Sequence, residues 1–76
     1  MRKLQDGDVV HGALFGIKVC NHGDRKAQDK GSRWLKLLIE DDGNWNDQDV
    51  MFDSYWVADL ISVLQKVQKG LPKIRR

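Results

Sequence analysis

The sequence predicts an α+β fold, in which a small antiparallel sheet of three or four strands is followed by one C-terminal helix packed on one face. Two observations predict it. Residues 33–40 form a strand-like segment that precedes an Asp-Gly turn, and residues 54–70 carry apolar side chains at helical spacing. The chain has 76 residues, the size of one domain. We assign residues 1–70 to a single compact domain and residues 71–76 to a basic C-terminal tail.

The first third of the chain is rich in strand-forming residues between Val9 and Asn21, where Gly12 and Gly16 interrupt the pattern. Either the glycines mark bulges in one bent strand, or a turn divides the segment into two short strands. The next residues, from Asn21 to Ser32, are polar and flanked by glycines. We expect them to form a mobile basic loop.

Arg33 to Glu40 is the clearest strand of the sequence. Alternation places Leu35, Leu37 and Ile39 on one face with Arg33, and it places the following residues on the other: Trp34, Lys36, Leu38 and Glu40. The segment from Asp41 to Asn44 is a hairpin turn, because Asp-Gly is a strong turn signal. A partner strand is then expected near Gln48 to Phe52.

The C-terminal helix has a start, an apolar stripe and a stop that agree. Asp53 or Ser54 supplies the N-cap. Gly70 is expected just beyond the helix, with Pro72 as the stop. The stripe recurs at helical spacing through Val57, Leu60, Ile61, Leu64 and Val67. The predicted helix has about 16 residues and covers one sheet face with its stripe.

Size and composition indicate the expected location and oligomeric state of the protein. Cys20 is the single cysteine, so no disulfide forms within the chain, and a lone thiol is typical of a reducing, cytoplasmic location. No apolar run reaches the length of a membrane span, and the first residues lack an apolar signal segment. A domain this small is marginally stable alone, and one helix leaves a sheet face uncovered. We therefore expect a homodimer.

The chain offers few residues for catalysis. Cys20 and His22 form one unpaired Cys-x-His, whereas a structural zinc site needs about four ligands. Cys20 lies in an apolar run, although a reactive thiolate needs an electropositive, exposed setting. No phosphate-binding glycine loop occurs. We expect no enzyme activity, no metal and no cofactor.

Charge is sorted along the chain, and this sorting directs attention to binding. Residues 40–59 contain seven acidic residues and no Lys or Arg, and residues 66–76 contain five basic residues and no acid. A third block, from Lys18 to Lys36, carries six basic residues. Separated patches of opposite sign can steer a charged partner.

The acidic block predicts a protein-binding surface that includes Trp45, Asp47, Asp49 and Tyr55. Aromatic side chains ringed by charge are typical of interface hot spots. Each part has a structural alternative. Trp45 is either exposed or folded back over the sheet edge, and the aspartates could instead protect an edge strand from pairing. Small regulators of this composition include those that phages make to divert a host enzyme, and a non-catalytic regulator or inhibitor is our first hypothesis.

The basic block predicts a second hypothesis, a single-stranded nucleic-acid-binding surface. Trp34 and Lys36 share a strand face, and the site adds the preceding cationic side chains: Arg25, Lys26, Lys30 and Arg33. Single-strand binders combine a basic groove with aromatic residues on which bases stack. In this element order and in the region from Arg25 to Lys36, the chain resembles the PC4-like single-strand binders, which dimerise and bind on a basic sheet face. The alternative is that Trp34 packs in a dimer core.

Overall fold

A computed structural model describes residues 3–72 of the chain, so the tail residues 73–76 lie outside the described part. The elements are β1 (Val9–His11), β2 (Phe15–Cys20), α1 (Arg25–Asp29), β3 (Trp34–Asp41), β4 (Asn44–Asp53) and, after a 3₁₀ turn (Ser54–Trp56), α2 (Val57–Gly70). The four strands form one antiparallel sheet in the order β1-β2-β3-β4. A four-stranded antiparallel sheet followed by a C-terminal helix confirms the α+β prediction.

The segment from Val9 to Asn21 forms two strands, not one bent strand. The Gly12 N–H donates to the Phe15 carbonyl at 2.9 Å and closes the turn between β1 and β2. Pairing then runs from Val9 opposite Lys18 to His11 opposite Gly16. Of the two predicted alternatives, a bulge and a turn, the structure therefore has a turn at Gly12.

The segment from Asn21 to Ser32, which was expected to form a mobile basic loop, contains the short helix α1. The Asp24 carboxylate accepts the Lys26 N–H at 3.0 Å and caps the helix. Gly31 has a φ of +92°, a conformation that glycine adopts without steric cost. A capping aspartate and a terminal glycine thus suffice for a short helix in a segment with little apolar content.

The β3–β4 hairpin turns at Asp42 and Gly43, whose φ angles are +49° and +83°. Two successive positive φ values are typical of the tight turn that Asp-Gly favours, so the predicted turn is confirmed. The strand β4 is longer than expected and contains a bulge. The register moves from Lys36 opposite Met51 to Leu38 opposite Asp47, which leaves three residues of β4 facing one of β3.

The helix α2 begins one turn later than predicted. The Asp53 carboxylate accepts the Tyr55 N–H at 3.0 Å, so Asp53 caps the 3₁₀ turn that leads into α2. Gly70 is the last residue of α2 and not the residue after it, since Leu71 occupies the C-cap position. The 14 residues of α2 form the longest helix of residues 3–72, in which no helix is long and apolar enough to cross a membrane.

Strand pairing separates the sheet into two faces. On one of them Ile17 lies opposite Val10 and Leu37, and Leu35 lies opposite Val19 and Phe52. We call this the apolar face. The other, the polar face, carries Lys18, Cys20, Trp34, Lys36, Glu40, Trp45, Asp47 and Met51. The predicted separation of Trp34 and Lys36 from Leu35 and Leu37 is therefore present.

The helix α2 stands off the apolar face instead of packing closely on it. Every residue from 58 to 70 is exposed, and Val19 and Leu38 are the buried hydrophobic side chains within residues 3–72. The radius of gyration is 14.4 Å, against about 11.4 Å for a compact chain of this length. The sheet therefore covers the apolar stripe of α2 only in part.

Candidate binding surfaces

A cluster centred on His22 joins β4 to the connection between β2 and β3. The His22 side chain is 10% exposed, and its Nδ1 accepts the Asp24 N–H at 2.9 Å. The proton of the neutral ring must then reside on Nε2, which donates to Asp53 Oδ2 at 3.0 Å. One imidazole thus links the start of α1 to the residue that caps the turn before α2.

Trp34 belongs to the same cluster. Its ring stacks on His22 with a centroid distance of 4.7 Å and an interplanar angle of 9°. Trp56 meets it edge-on at 6.2 Å. One face of the Trp34 ring is therefore occupied within the molecule, and a nucleic-acid base could stack only on what remains.

Asp53 is held in its charged form by this arrangement. The backbone N–H of Tyr55 lowers the pKa of Asp53 below its ordinary value, and the hydrogen bond from His22 lowers it further. Hydrogen bonds to a carboxylate favour the charged form, which is the physical cause of both effects.

Two of the predicted nucleic-acid-binding cations are engaged within the chain. Lys36 Nζ lies 2.8 Å from Asp47 Oδ2, and this hydrogen-bonded ion pair raises the pKa of Lys36 and lowers that of Asp47. Arg33 Nε lies 3.1 Å from Asp6 Oδ1, and the same guanidinium donates to the Ser32 carbonyl at 2.8 Å. These contacts reduce the charge that the sheet presents to phosphate.

The remaining predicted cations lie on α1. Arg25, Lys26 and Lys30 are exposed on or directly after this helix, which precedes β3. They lie at the Trp34 end of β3, whereas the acidic hairpin lies at its Asp41 end. The sheet therefore separates the basic residues of α1 from the acidic turn.

Trp45 is half-buried. Of the two predicted alternatives, an exposed ring and a ring folded back over the sheet edge, this position agrees with the second. Its ring lies beside His11 at a centroid distance of 4.9 Å, and it covers Gly16, where an added Cβ would sit 3.4 Å from the indole. Gly16 is buried, so its lack of a side chain makes room for the ring. Trp45 thus folds back over the polar face.

The four residues of the predicted protein-binding site do not form one patch. Trp45 is the second residue of β4, whereas Tyr55 lies two residues beyond the other end of this strand. Tyr55 is 64% exposed and its hydroxyl donates to the Lys30 carbonyl at 3.4 Å. Asp47 pairs with Lys36, and Asp49 is exposed in the bulge with a φ of +55°.

Exposed aspartates nevertheless occur along the β3–β4 hairpin. Asp41, Asp42 and Asp49 are exposed, and we call these three residues the acidic hairpin surface. They lie on β3, on the turn and on β4, where β4 is an edge strand of the sheet. Charge on an edge strand also opposes pairing with another sheet.

Sequence reasoning missed the grooves beside α2. One groove of about 810 Å³ separates α2 from the apolar face, and its lining includes Phe15, Leu37, Phe52, Leu60 and Val63. A second groove of about 620 Å³ lies between the same face and the first turn of α2. The signal was in the sequence, since the apolar residues of α2 cover more of the helix than one packing face requires.

Cys20 and His22, the residues considered for a metal site, contact other groups of the chain. Cys20 is half-buried, with its Sγ 3.9 Å from the Lys18 carbonyl oxygen. Within residues 3–72 no group of three or more His, Cys, Asp or Glu side chains converges as metal ligands would. In comparisons with known proteins, no family model, curated protein or solved structure matches this chain.

Proposed function

We propose that this chain is a small non-catalytic binding protein that modulates a protein partner through the acidic hairpin surface. The observation that carries the proposal is the exposure of Asp41, Asp42 and Asp49 within a stretch of 20 residues that has no Lys or Arg. Such a surface attracts a basic partner and repels nucleic acid. Regulation or inhibition of a host enzyme, as by phage-encoded proteins, fits a module of this size.

A second candidate function is single-stranded nucleic-acid binding. It is favoured by the exposed Arg25, Lys26 and Lys30 on one short segment next to Trp34. It ranks lower because His22 covers one face of the Trp34 ring and Asp47 pairs with Lys36. Binding on this side would have to rely on the cations of α1.

The test removes the negative charge of the hairpin without straining its backbone. A triple variant carries Asp41→Asn, Asp42→Asn and Asp49→Asn, because asparagine tolerates the positive φ found at residues 42 and 49. Asp29→Asn, an exposed aspartate on α1, is the matched control. Each immobilised protein is used to capture partners from a lysate, and the bound proteins are quantified by mass spectrometry.

We expect the triple variant to retain less than roughly a tenth of a specifically captured protein, and the Asp29 control to retain all of it. Equal capture by both variants would overturn the proposal. Tryptophan fluorescence, titrated with a single-stranded oligonucleotide at low and high salt, addresses the second function. Quenching that weakens with salt and is lost in an Arg25→Gln, Lys26→Gln, Lys30→Gln variant would make nucleic acid the ligand instead.

A further inference from the structure

The exposed side of α2 has the spacing of a helix-pairing seam. Four residues of α2, Val57, Leu60, Leu64 and Val67, follow one another at intervals of three, four and three residues, which is the a and d pattern of a coiled coil, and Leu71 at the C-cap keeps this spacing in the sequence. We call these five residues the α2 seam. The last four of them are between 40% and 59% exposed.

The seam continues beyond the part of α2 that faces the sheet. Val57 and Leu60 line the grooves against the apolar face, whereas Val67 and Leu71 line a shallow groove of about 400 Å³ formed by α2 residues and Leu71 alone. The polar side chains in that groove are Gln65 and Gln68, which carry no charge. An uncharged apolar seam matches another apolar helix and offers nothing to phosphate or to a basic peptide.

The number of residues around these grooves is similar to the number in a dimer interface. About 25 different residues together line the three grooves beside and along α2. A standard interface uses roughly 20–30 residues a side. Obligate homodimer interfaces resemble a hydrophobic core divided between two chains, and here the described chain buries just Val19 and Leu38 among its hydrophobic side chains.

We infer that the occupant is a second copy of this chain. In a two-fold symmetric dimer the seam of one α2 packs on the seam of the other, and the pair of helices covers the grooves over both apolar faces. A homodimer interface is self-complementary, and a seam without charges allows two identical helices to meet without repulsion. This inference does not rest on the proposed function, because it uses α2 and leaves the acidic hairpin surface free.

Sedimentation equilibrium over a wide concentration range tests the dimer. The variant Leu64→Glu, Val67→Glu places charge in the seam, and Ser62→Glu, Lys69→Glu places it on the opposite side of α2 as the matched control. We expect the wild type and the control to dimerise, and the seam variant to dimerise at least a hundredfold more weakly. Both seam positions are half-exposed in the single chain, so circular dichroism should show an intact fold.

A cysteine cross-link gives a second measurement. Leu64 is the middle residue of the seam and approaches its own copy in a parallel pair and in an antiparallel pair centred on the seam. In a Cys20→Ala background, Leu64→Cys should form a disulfide-linked dimer on mild oxidation, and Ser62→Cys should not. A wild type that stays monomeric at the highest soluble concentration would overturn the inference and assign the seam to a different protein. Equal dimerisation of seam and control variants would also overturn it.

Discussion

The cluster around His22 and the helix α2 are separated by a few residues and are stabilised in different ways. His22, Trp34 and Asp53 contact one another across three parts of the chain, with the imidazole almost fully enclosed. The helix α2 follows directly after Asp53 and the 3₁₀ turn, yet its side chains from residue 58 onward are exposed. Tertiary contacts therefore hold the cluster, whereas α2 depends mainly on its own backbone hydrogen bonds within the described chain.

The largest expected effect is the difference in stability between substitutions at two tryptophans that contact each other. Trp34→Ala should lower the free energy of unfolding by about 3 kcal/mol, because it removes the ring that packs between His22 and Trp56. Trp56→Ala, at a residue that is 56% exposed, should cost about 1 kcal/mol in dilute solution. Urea unfolding followed by circular dichroism measures both. Equal losses would show that the cluster is no better packed than the helix start.

A smaller effect is expected from acid. The pKa values of Asp53 and Asp47 are lowered in the folded chain, so their contribution to stability is complete above about pH 4 and is lost as the pH falls through the folded values. The urea midpoint should therefore be lower at pH 3 than at pH 6. Asp53→Asn should reduce this pH dependence, because the variant has one fewer lowered carboxyl to protonate. An unchanged pH dependence of stability in Asp53→Asn would contradict the assignment of this effect to Asp53 in the His22 cluster.

The smallest effect concerns α2 itself. Gly70→Ala should raise stability by about 0.5 kcal/mol, because Gly70 is helical, an added Cβ meets no atom within 4 Å, and alanine favours a helix. The same change at Gly43, where φ is +83°, should destabilise by about 1 kcal/mol. Thermal unfolding of the two variants gives the comparison. Destabilisation by Gly70→Ala would show that residue 70 is constrained by more than local helix propensity.

Local signals in the sequence predicted most of the elements. The turn at Asp42-Gly43 is readable because Asp and Gly tolerate positive φ, and the faces of β3 follow from strict alternation. The helix α1 was missed because its five residues carry no periodic pattern. The bulge at Asp49 was missed because it depends on how β4 meets β3 and not on its own composition.

The candidate surfaces were harder to predict than the elements. Charge sorting indicated the acidic hairpin, and Asp41, Asp42 and Asp49 are exposed there. The contacts of Trp34 and Lys36 with His22 and Asp47 depend on residues 12 and 11 positions away, respectively, and no local pattern announces them. A side chain that already contacts a distant residue is less available to a ligand. A binding site inferred from residue type alone therefore overestimates the charge that is available to bind a ligand.

The sequence by itself determined the strand β3, the hairpin turn and the presence of the helix α2, because turn chemistry and periodicity act between residues close in the chain. The tertiary structure alone decided that Trp45 folds onto Gly16, that His22 bridges Asp24 and Asp53, and that α2 stands away from the apolar face. These outcomes depend on which distant groups come into contact. Amphipathic spacing specifies that a helix needs an apolar partner, and the folded chain shows whether its own sheet provides one.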